Sequence, residues 1–191
     1  MSSMPAFSLA LCCWVILWIY WLLSAASQKA EKKRESASER MGQIIPILVC
    51  YVLLFEPFMG FGWLGLRFVP KRPELEFVGL FITALGVALA IWARAHLGAN
   101  WSAAVSIRTD HELIGSGPYR YIRHPIYTGM ILAAIGTALV IGQVRGLLAV
   151  GIFLVAFYGK ASKEERWLTQ EFADRFNAHA ARTGMFLPKL R

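Results

Sequence analysis

The sequence predicts an all-α integral membrane protein of about five transmembrane helices, with a C-terminal helical hairpin, an amphipathic tail helix and no Rossmann domain. Three observations carry the prediction. Of 191 residues, 57% are apolar and only 17% are charged, and the mean hydropathy is +0.49; soluble domains carry nearer a quarter charged residues. The apolar residues fall in long runs, and about 20 helical residues at ~1.5 Å each span a bilayer core. Basic residues concentrate on alternate connectors, as membrane topology requires.

The first run, 5–26, has no charge. Ser24-Ala25-Ala26 resembles a small-residue cleavage site, but a basic n-region is missing and the run exceeds a signal peptide's apolar core, so a transmembrane helix is expected. The linker 27–43 mixes Lys29, Lys32, Lys33, Arg34 and Arg40 with Glu31, Glu35 and Glu39, which reads as a solvated helical connector. A second span, 44–66, is interrupted by Glu56-Pro57, where proline kinks or opens the helix. An ionisable residue at that depth makes Glu56 a candidate for function. After a basic turn at 67–73, a third span covers 76–97, with Ala84, Gly86, Ala88 and Ala90 as a small-residue packing face and Trp92 and Arg94 as interfacial anchors.

Segment 98–125 is extramembrane and contains Asn100-Trp101-Ser102, a glycosylation acceptor only if it faces a secretory lumen. Spans 126–142 and 147–159, joined by the turn 142–146, form the hairpin. Ser162 to Glu165 is a capping-box pattern, and Leu168, Phe172 and Phe176 give a tail helix, 162–182, an apolar face; one helix continuous with the fifth span is equally compatible. The chain thus divides into three N-terminal helices with their linker, 1–97, and a catalytic half, 98–191. Linker 27–43, segment 98–125 and the tail hold most Lys and Arg, which places them in the cytoplasm and the N-terminus outside.

Composition excludes several functions. The net charge of +8 is dispersed between and after the apolar runs rather than gathered in a nucleic-acid stripe. Cys12, Cys13 and Cys50 lie inside apolar runs and form no CxxC pair. No histidine spacing indicates a metal, no nucleophile elbow is present, and Gly115-Ser116-Gly117 has no preceding strand to make a dinucleotide loop. The chemistry concentrates in Gly115–Gly129, where Tyr119, Arg120, Arg123, His124 and Tyr127 stand at the mouth of the fourth span. The hairpin returns Lys160, Lys163, Glu164, Glu165 and Arg166 to the same interface. Histidine, arginine and tyrosine suit a carboxylate, and a glutamate suits an amine or ribose hydroxyls, so the cluster fits a polar, zwitterionic small molecule. Ordinary interfacial anchoring is the competing explanation for Arg120 and Arg123.

Gly117-Pro118-Tyr119-Arg120-Tyr121-Ile122-Arg123-His124-Pro125-Ile126-Tyr127-Thr128-Gly129 resembles the Arg-His-Pro-x-Tyr-x-Gly signature of the isoprenylcysteine carboxyl methyltransferase family, whose superfamily includes phospholipid N-methyltransferases. Glu164-Glu165-Arg166-Trp167-Leu168 is similar to its second signature, Glu-Glu-x-x-Leu. The pair covers the chain from about Asn100 onward; the first three spans match in hydropathy alone. The resemblance implies an S-adenosylmethionine-dependent membrane methyltransferase acting on a lipidic acceptor, most simply the carboxylate of a prenylcysteine-like substrate. By position it implies cofactor contacts at His111, Glu112, Leu113, Ile114, Tyr119, His124, Pro125, Ile126, Tyr127 and Glu164. Lys160 stands where the family places a substrate-binding arginine, keeping the charge but losing the bidentate fork. Lys160 and Glu164 are the expected catalytic pair, with Lys160 and Glu56 as acceptor-binding candidates. Ala173, Phe176 and His179 depart from the family's tail pattern, which bears on the acceptor. The expected partners are the lipid bilayer and that lipidic acceptor, with no nucleic acid or metal. Phospholipid headgroup N-methylation and a non-catalytic membrane scaffold are the alternatives. The membrane would be the plasma or inner membrane in a bacterium and the endoplasmic reticulum in a eukaryote.

Overall fold

A computed structural model describes residues 4–24, 31–34, 37–98, 106–108 and 113–189. Helices dominate: α1 (Met4–Ser24), α2 (Ala37–Phe55), α3 (Pro73–Leu97), α4 (Pro125–Ile141), α5 (Val144–Phe172) and α6 (Asp174–Arg182). Two short strands, β1 (Glu31–Arg34) and β2 (Ser106–Arg108), pair antiparallel with Glu31 opposite Arg108. The helical connector expected at 27–43 is therefore corrected at residues 31–34, which are extended. A four-residue charged segment has no periodicity of its own, and its conformation is set by a partner far along the chain. The sequon at 100–102 lies outside the described residues.

Among the described residues, three helices are long and apolar enough to cross a membrane: Pro5–Ser24, Pro73–Leu97 and Val144–Phe172. Two shorter apolar helices, Met41–Phe55 and Pro125–Ile141, accompany them. Leu22, Leu23, Phe81 and Val155 stand exposed, the apolar exterior that lipid requires. The protein is an integral membrane protein.

The second helix ends earlier than its apolar run. Glu56 adopts an extended conformation (φ −80°, ψ 117°), as a residue before proline prefers, so Pro57 terminates α2 rather than kinking it. Two 3-10 turns follow, Pro57–Met59 and Gly62–Gly65. The segment is stitched to the α4–α5 turn by Phe68 N–H donating to the Gly142 carbonyl at 3.1 Å and Val144 N–H donating to Leu66 at 2.9 Å. Arg145, a buried residue not anticipated from the sequence, donates through Nη1 to the carbonyls of Leu53 and Glu56, both at 2.8 Å. It satisfies α2's open carbonyl end, which has no helical partner.

Helices α3 and α4 pack antiparallel and closely. A Cβ on Gly86 would lie 2.3 Å from Ala133 N and 2.5 Å from Gly129 O; one on Gly136 would lie 2.4 Å from Gly79 O. Only residues without a side chain permit that approach. The packing face is Gly79, Thr83, Gly86 and Ala90; of the expected small residues Ala84 and Ala88 face outward. Arg94 is likewise no surface anchor. It is buried, and its guanidinium donates to the carbonyls of Ser24 (2.7 Å) and Gly98 (3.0 Å), tying the end of α1 to the end of α3.

Helix α5 is one continuous element of 29 residues, about 44 Å long. It absorbs the capping-box residues and carries its last turns beyond a ~30 Å hydrocarbon core. Ala173, with φ 43°, breaks it, and α6 follows with Phe176 turned inward.

Candidate functional site

The site is built where α4 begins, where α5 leaves the apolar layer and where the tail folds back. Pro125, without an N–H, suits the first turn of α4, and leaves His124 at its N-cap. The segment before it is pinned by the tail: Arg123 N–H donates to Gly184 O (2.9 Å), His124 N–H to Met185 O (3.1 Å), and the Thr128 hydroxyl to Phe186 O (2.9 Å). The sequence signalled none of this, because main-chain acceptors carry no residue signature.

Glu164 and Glu165 are consecutive on α5, so their side chains diverge by about 100°. One imidazole nevertheless reaches both, because its nitrogens lie on opposite edges: His124 Nδ1 is 3.3 Å from Glu164 Oε2, and Nε2 is 3.1 Å from Glu165 Oε1. Each carboxylate has a second partner. The Tyr127 hydroxyl donates to Glu164 Oε1 at 2.5 Å, and Arg123 Nε donates to Glu165 Oε1 at 2.7 Å. Arg123 also donates to the carbonyls of Ala180 and Thr183. It is thus the bolt between α5 and the tail rather than an interfacial anchor.

Electrostatics follow the geometry. Burial opposes a charged His124, but hydrogen bonds and charges from Glu164 and Glu165 outweigh it and hold its pKa above the ordinary histidine value. Burial, and then the Glu164 charge, push the Tyr119 phenol well up, so Tyr119 stays neutral.

An aromatic column runs inward from the site. Tyr127 stacks on His124 (centroids 5.5 Å, planes 7° apart) and on Phe157 (4.9 Å, 11°), and Phe157 continues to Phe153 and Trp14. Lys160, one helical turn before Glu164, holds its ammonium 5.7 Å from the Tyr127 ring centroid. A carboxylate, an ammonium and a π face therefore converge on Tyr127. Across the cluster, Tyr119 donates to Ala93 O at 3.4 Å and stacks on His96, whose Nε2 is 2.8 Å from Ser116 Oγ. His96 was not anticipated; its signal is Gly117, which has φ 55° and whose Cβ would lie 2.7 Å from the His96 ring.

Of the residues expected at the site, the structure gathers His124, Tyr127, Lys160 and Glu164, with Tyr119 close by. Pro125 and Ile126 are buried beneath them, and Leu113 and Ile114 are half-buried on the approach. His111 and Glu112 lie outside the described residues. Glu56 is not brought in: it is exposed and sits at the α2 terminus, where its carbonyl meets Arg145 at the opposite end of the bundle. Pro57 is the reason, since it ends α2 there instead of carrying the chain back.

Residues 77–170 match the Isoprenylcysteine carboxyl methyltransferase (ICMT) family. The chain resembles the ICMT family. A probable protein-S-isoprenylcysteine O-methyltransferase of Oryza sativa subsp. indica is 29% identical over 125 residues, covering 61% of this chain and 65% of the rice protein. The cobalt-zinc-cadmium resistance protein CzcN of Cupriavidus metallidurans is 32% identical over 114 residues, covering 58% of this chain and 50% of that one. The solved structure of the eukaryotic intramembrane Ras methyltransferase ICMT superposes with a TM-score of 0.58 at 23% identity, covering 81% of this chain and 54% of that chain. The ICMT-like membrane fold is thereby established. The chain spans less than two thirds of the length of each of these proteins.

Proposed function

We propose that the protein is an S-adenosylmethionine-dependent methyltransferase of the membrane, acting on the carboxylate of a prenylcysteine-like lipid. The observation that carries the reading is the contact between the two signature segments. His124 and Tyr127 both engage Glu164, at 3.3 and 2.5 Å, where α5 emerges from the apolar layer. The donor set fits the cofactor: Glu164 offers a carboxylate to an amine or hydroxyls, Lys160 a cation to a carboxylate, and Tyr127 a π face to a sulfonium. When bound, the cofactor would supply an electrophilic methyl group, and a carboxylate acceptor, already ionised, would need no general base to take it from the sulfonium. The chain's own task is therefore positioning and desolvation. His124 and Tyr127 hold Glu164 in one rotamer, Glu165 anchors the imidazole from its other side, and the aromatic column excludes water. Lys160 is the residue we assign to orient the acceptor carboxylate.

The same reading has all five apolar helices crossing the bilayer, with the site and tail cytoplasmic and the N-terminus outside. It is supported by the antiparallel packing of α3 with α4 and by the basic residues at the site end.

Calorimetry of S-adenosylhomocysteine binding in detergent tests the proposal, on wild type and on His124→Ala and Glu164→Ala. Binding by wild type and its loss in both folded variants is the expected result. A folded wild-type protein that binds neither S-adenosylmethionine nor S-adenosylhomocysteine sinks the reading. With binding established, methylation of an S-farnesylcysteine derivative, and none of its methyl ester, tests the carboxylate as acceptor.

A further inference from the structure

On the outer side of the Gly117–Arg120 turn lies a second concavity, of about 820 Å³, that the methyl-transfer reading does not use. Its walls come from that turn and from α6 with the tail after it. Among the described residues, three cations, Arg120, Arg182 and Lys189, and one histidine, His179, line it, and no carboxylate does. The site beside it is balanced quite differently, with two glutamates against Arg123 and His124. The two are separated by Thr183, which lines the cleft while its carbonyl accepts from Arg123.

The basic groups are held in place. Arg182 Nε donates to Ala178 O at 3.1 Å and Lys189 Nζ to Ala181 O at 2.9 Å, both within the tail, and the Arg120 guanidinium lies 6.0 Å from the Tyr121 ring centroid. These contacts fix the stems and leave each cation with donors to spend, since guanidinium has five and ammonium three. Burial and then the charges of Arg123 and Arg182 depress the His179 pKa. Apolar surface adjoins it: Tyr121, which lines it, is 57% exposed, and Leu187, next in sequence to the lining Pro188, is 74% exposed. Cations below an apolar and aromatic edge, on a helix that follows directly from a membrane span, match the phosphate-to-acyl boundary of a phospholipid.

We infer that this cleft binds the phosphate of an anionic phospholipid headgroup, seating α6 and the tail on the membrane beside the candidate active site. The inference rests on the membrane placement of the site end and not on methyl transfer, so either can fail alone. A bound headgroup would brace the tail segment 183–186, which in turn pins Arg123 and His124.

The test is retention of dihexanoyl phosphatidylglycerol by the full chain in detergent, counted by native mass spectrometry, with dihexanoyl phosphatidylcholine as the neutral comparison. Wild type should hold the anionic lipid, and the doubly substituted Arg120→Gln, Arg182→Gln protein should bind it about tenfold more weakly, each basic side chain near a charged surface contributing a small multiple of RT. Arg175→Gln, on α6 but against Phe172 rather than the cleft, should bind as wild type does. Thermal unfolding of the same samples identifies a variant that has lost its fold, and the single substitution Arg182→Gln then serves in its place with a smaller loss expected. Equal retention of the two lipids by wild type, or equal retention of phosphatidylglycerol by wild type and variant, overturns the proposal. Displacement of the lipid by inorganic phosphate at matched concentration also overturns it, assigning the cleft to a soluble anion.

Discussion

At the scale of single residues, one imidazole carries two carboxylates, and the consequences are measurable. Because the folded His124 pKa lies above its unfolded value of about 6.5, its stabilising contribution is complete below that pH and is lost as pH rises through the folded pKa. Wild type should therefore lose thermal stability more steeply than His124→Gln as pH rises above about 6.5; parallel melting curves would refute this. Glu164 and Lys160 should separate in kinetics although they lie one turn apart. Glu164→Gln removes a charge-assisted acceptor and should weaken cofactor binding by roughly 10- to 100-fold. Lys160→Ala should raise the KM for the acceptor about tenfold and leave the cofactor Kd unchanged. A change in cofactor Kd alone would move Lys160 to the other ligand. Arg123→Ala leaves Glu165 facing His124 without its guanidinium partner and unhooks the tail, at a cost of about 3 kcal/mol.

At the scale of elements, two kinds of glycine should behave oppositely. Gly86→Val and Gly136→Val put carbon into the opposing helix backbone, and α3 and α4 must part; neither variant should be recovered folded from detergent. Gly151→Ala and Gly159→Ala, on α5 with nothing within 4 Å of the added carbon, should be neutral or stabilising by up to about 1 kcal/mol. Arg145→Ala strands the carbonyls of Leu53 and Glu56 at the far end of α2. A loss of about 2 kcal/mol is expected there, with cofactor affinity unchanged because the site is at the other end of the bundle. Those outcomes are read by thermal unfolding and ligand titration on the same samples.

At the scale of the whole molecule, the proposed five crossings put residues 57–72 outside and the site end inside. Single cysteines at Arg72 and at Ser38, in a background without Cys12, Cys13 and Cys50, test this with an impermeant thiol reagent on intact cells. Labelling at Arg72 alone, and at Ser38 after permeabilisation, is expected. Labelling of both before permeabilisation would mean an even number of crossings between them. The aromatic column from Trp14 to Tyr127 also belongs to this scale, since it joins α1, α5 and α4 into one packed unit beneath the site.

Hydropathy and local signatures by themselves determined the membrane class, the positions of most helices and the two segments that meet at the site. Apolar run length and the order Arg-His-Pro-x-Tyr-x-Gly, then Glu-Glu-x-x-Leu, are properties of contiguous sequence, so the chain displays them unfolded. Only the tertiary structure decided which glutamate takes Tyr127 and which takes Arg123, because consecutive helical residues differ in direction and not in chemistry. It alone turned Arg94 from an expected interfacial anchor into a buried tie and made Arg145 another, since their acceptors are carbonyls 70 and 92 residues away in the chain. It likewise removed Glu56 from the site and exchanged Ala84 and Ala88 for Gly79 and Thr83 on the packing face. Which side of a helix meets a neighbour depends on the neighbour, and in lipid an apolar face gives no hint of which way it turns.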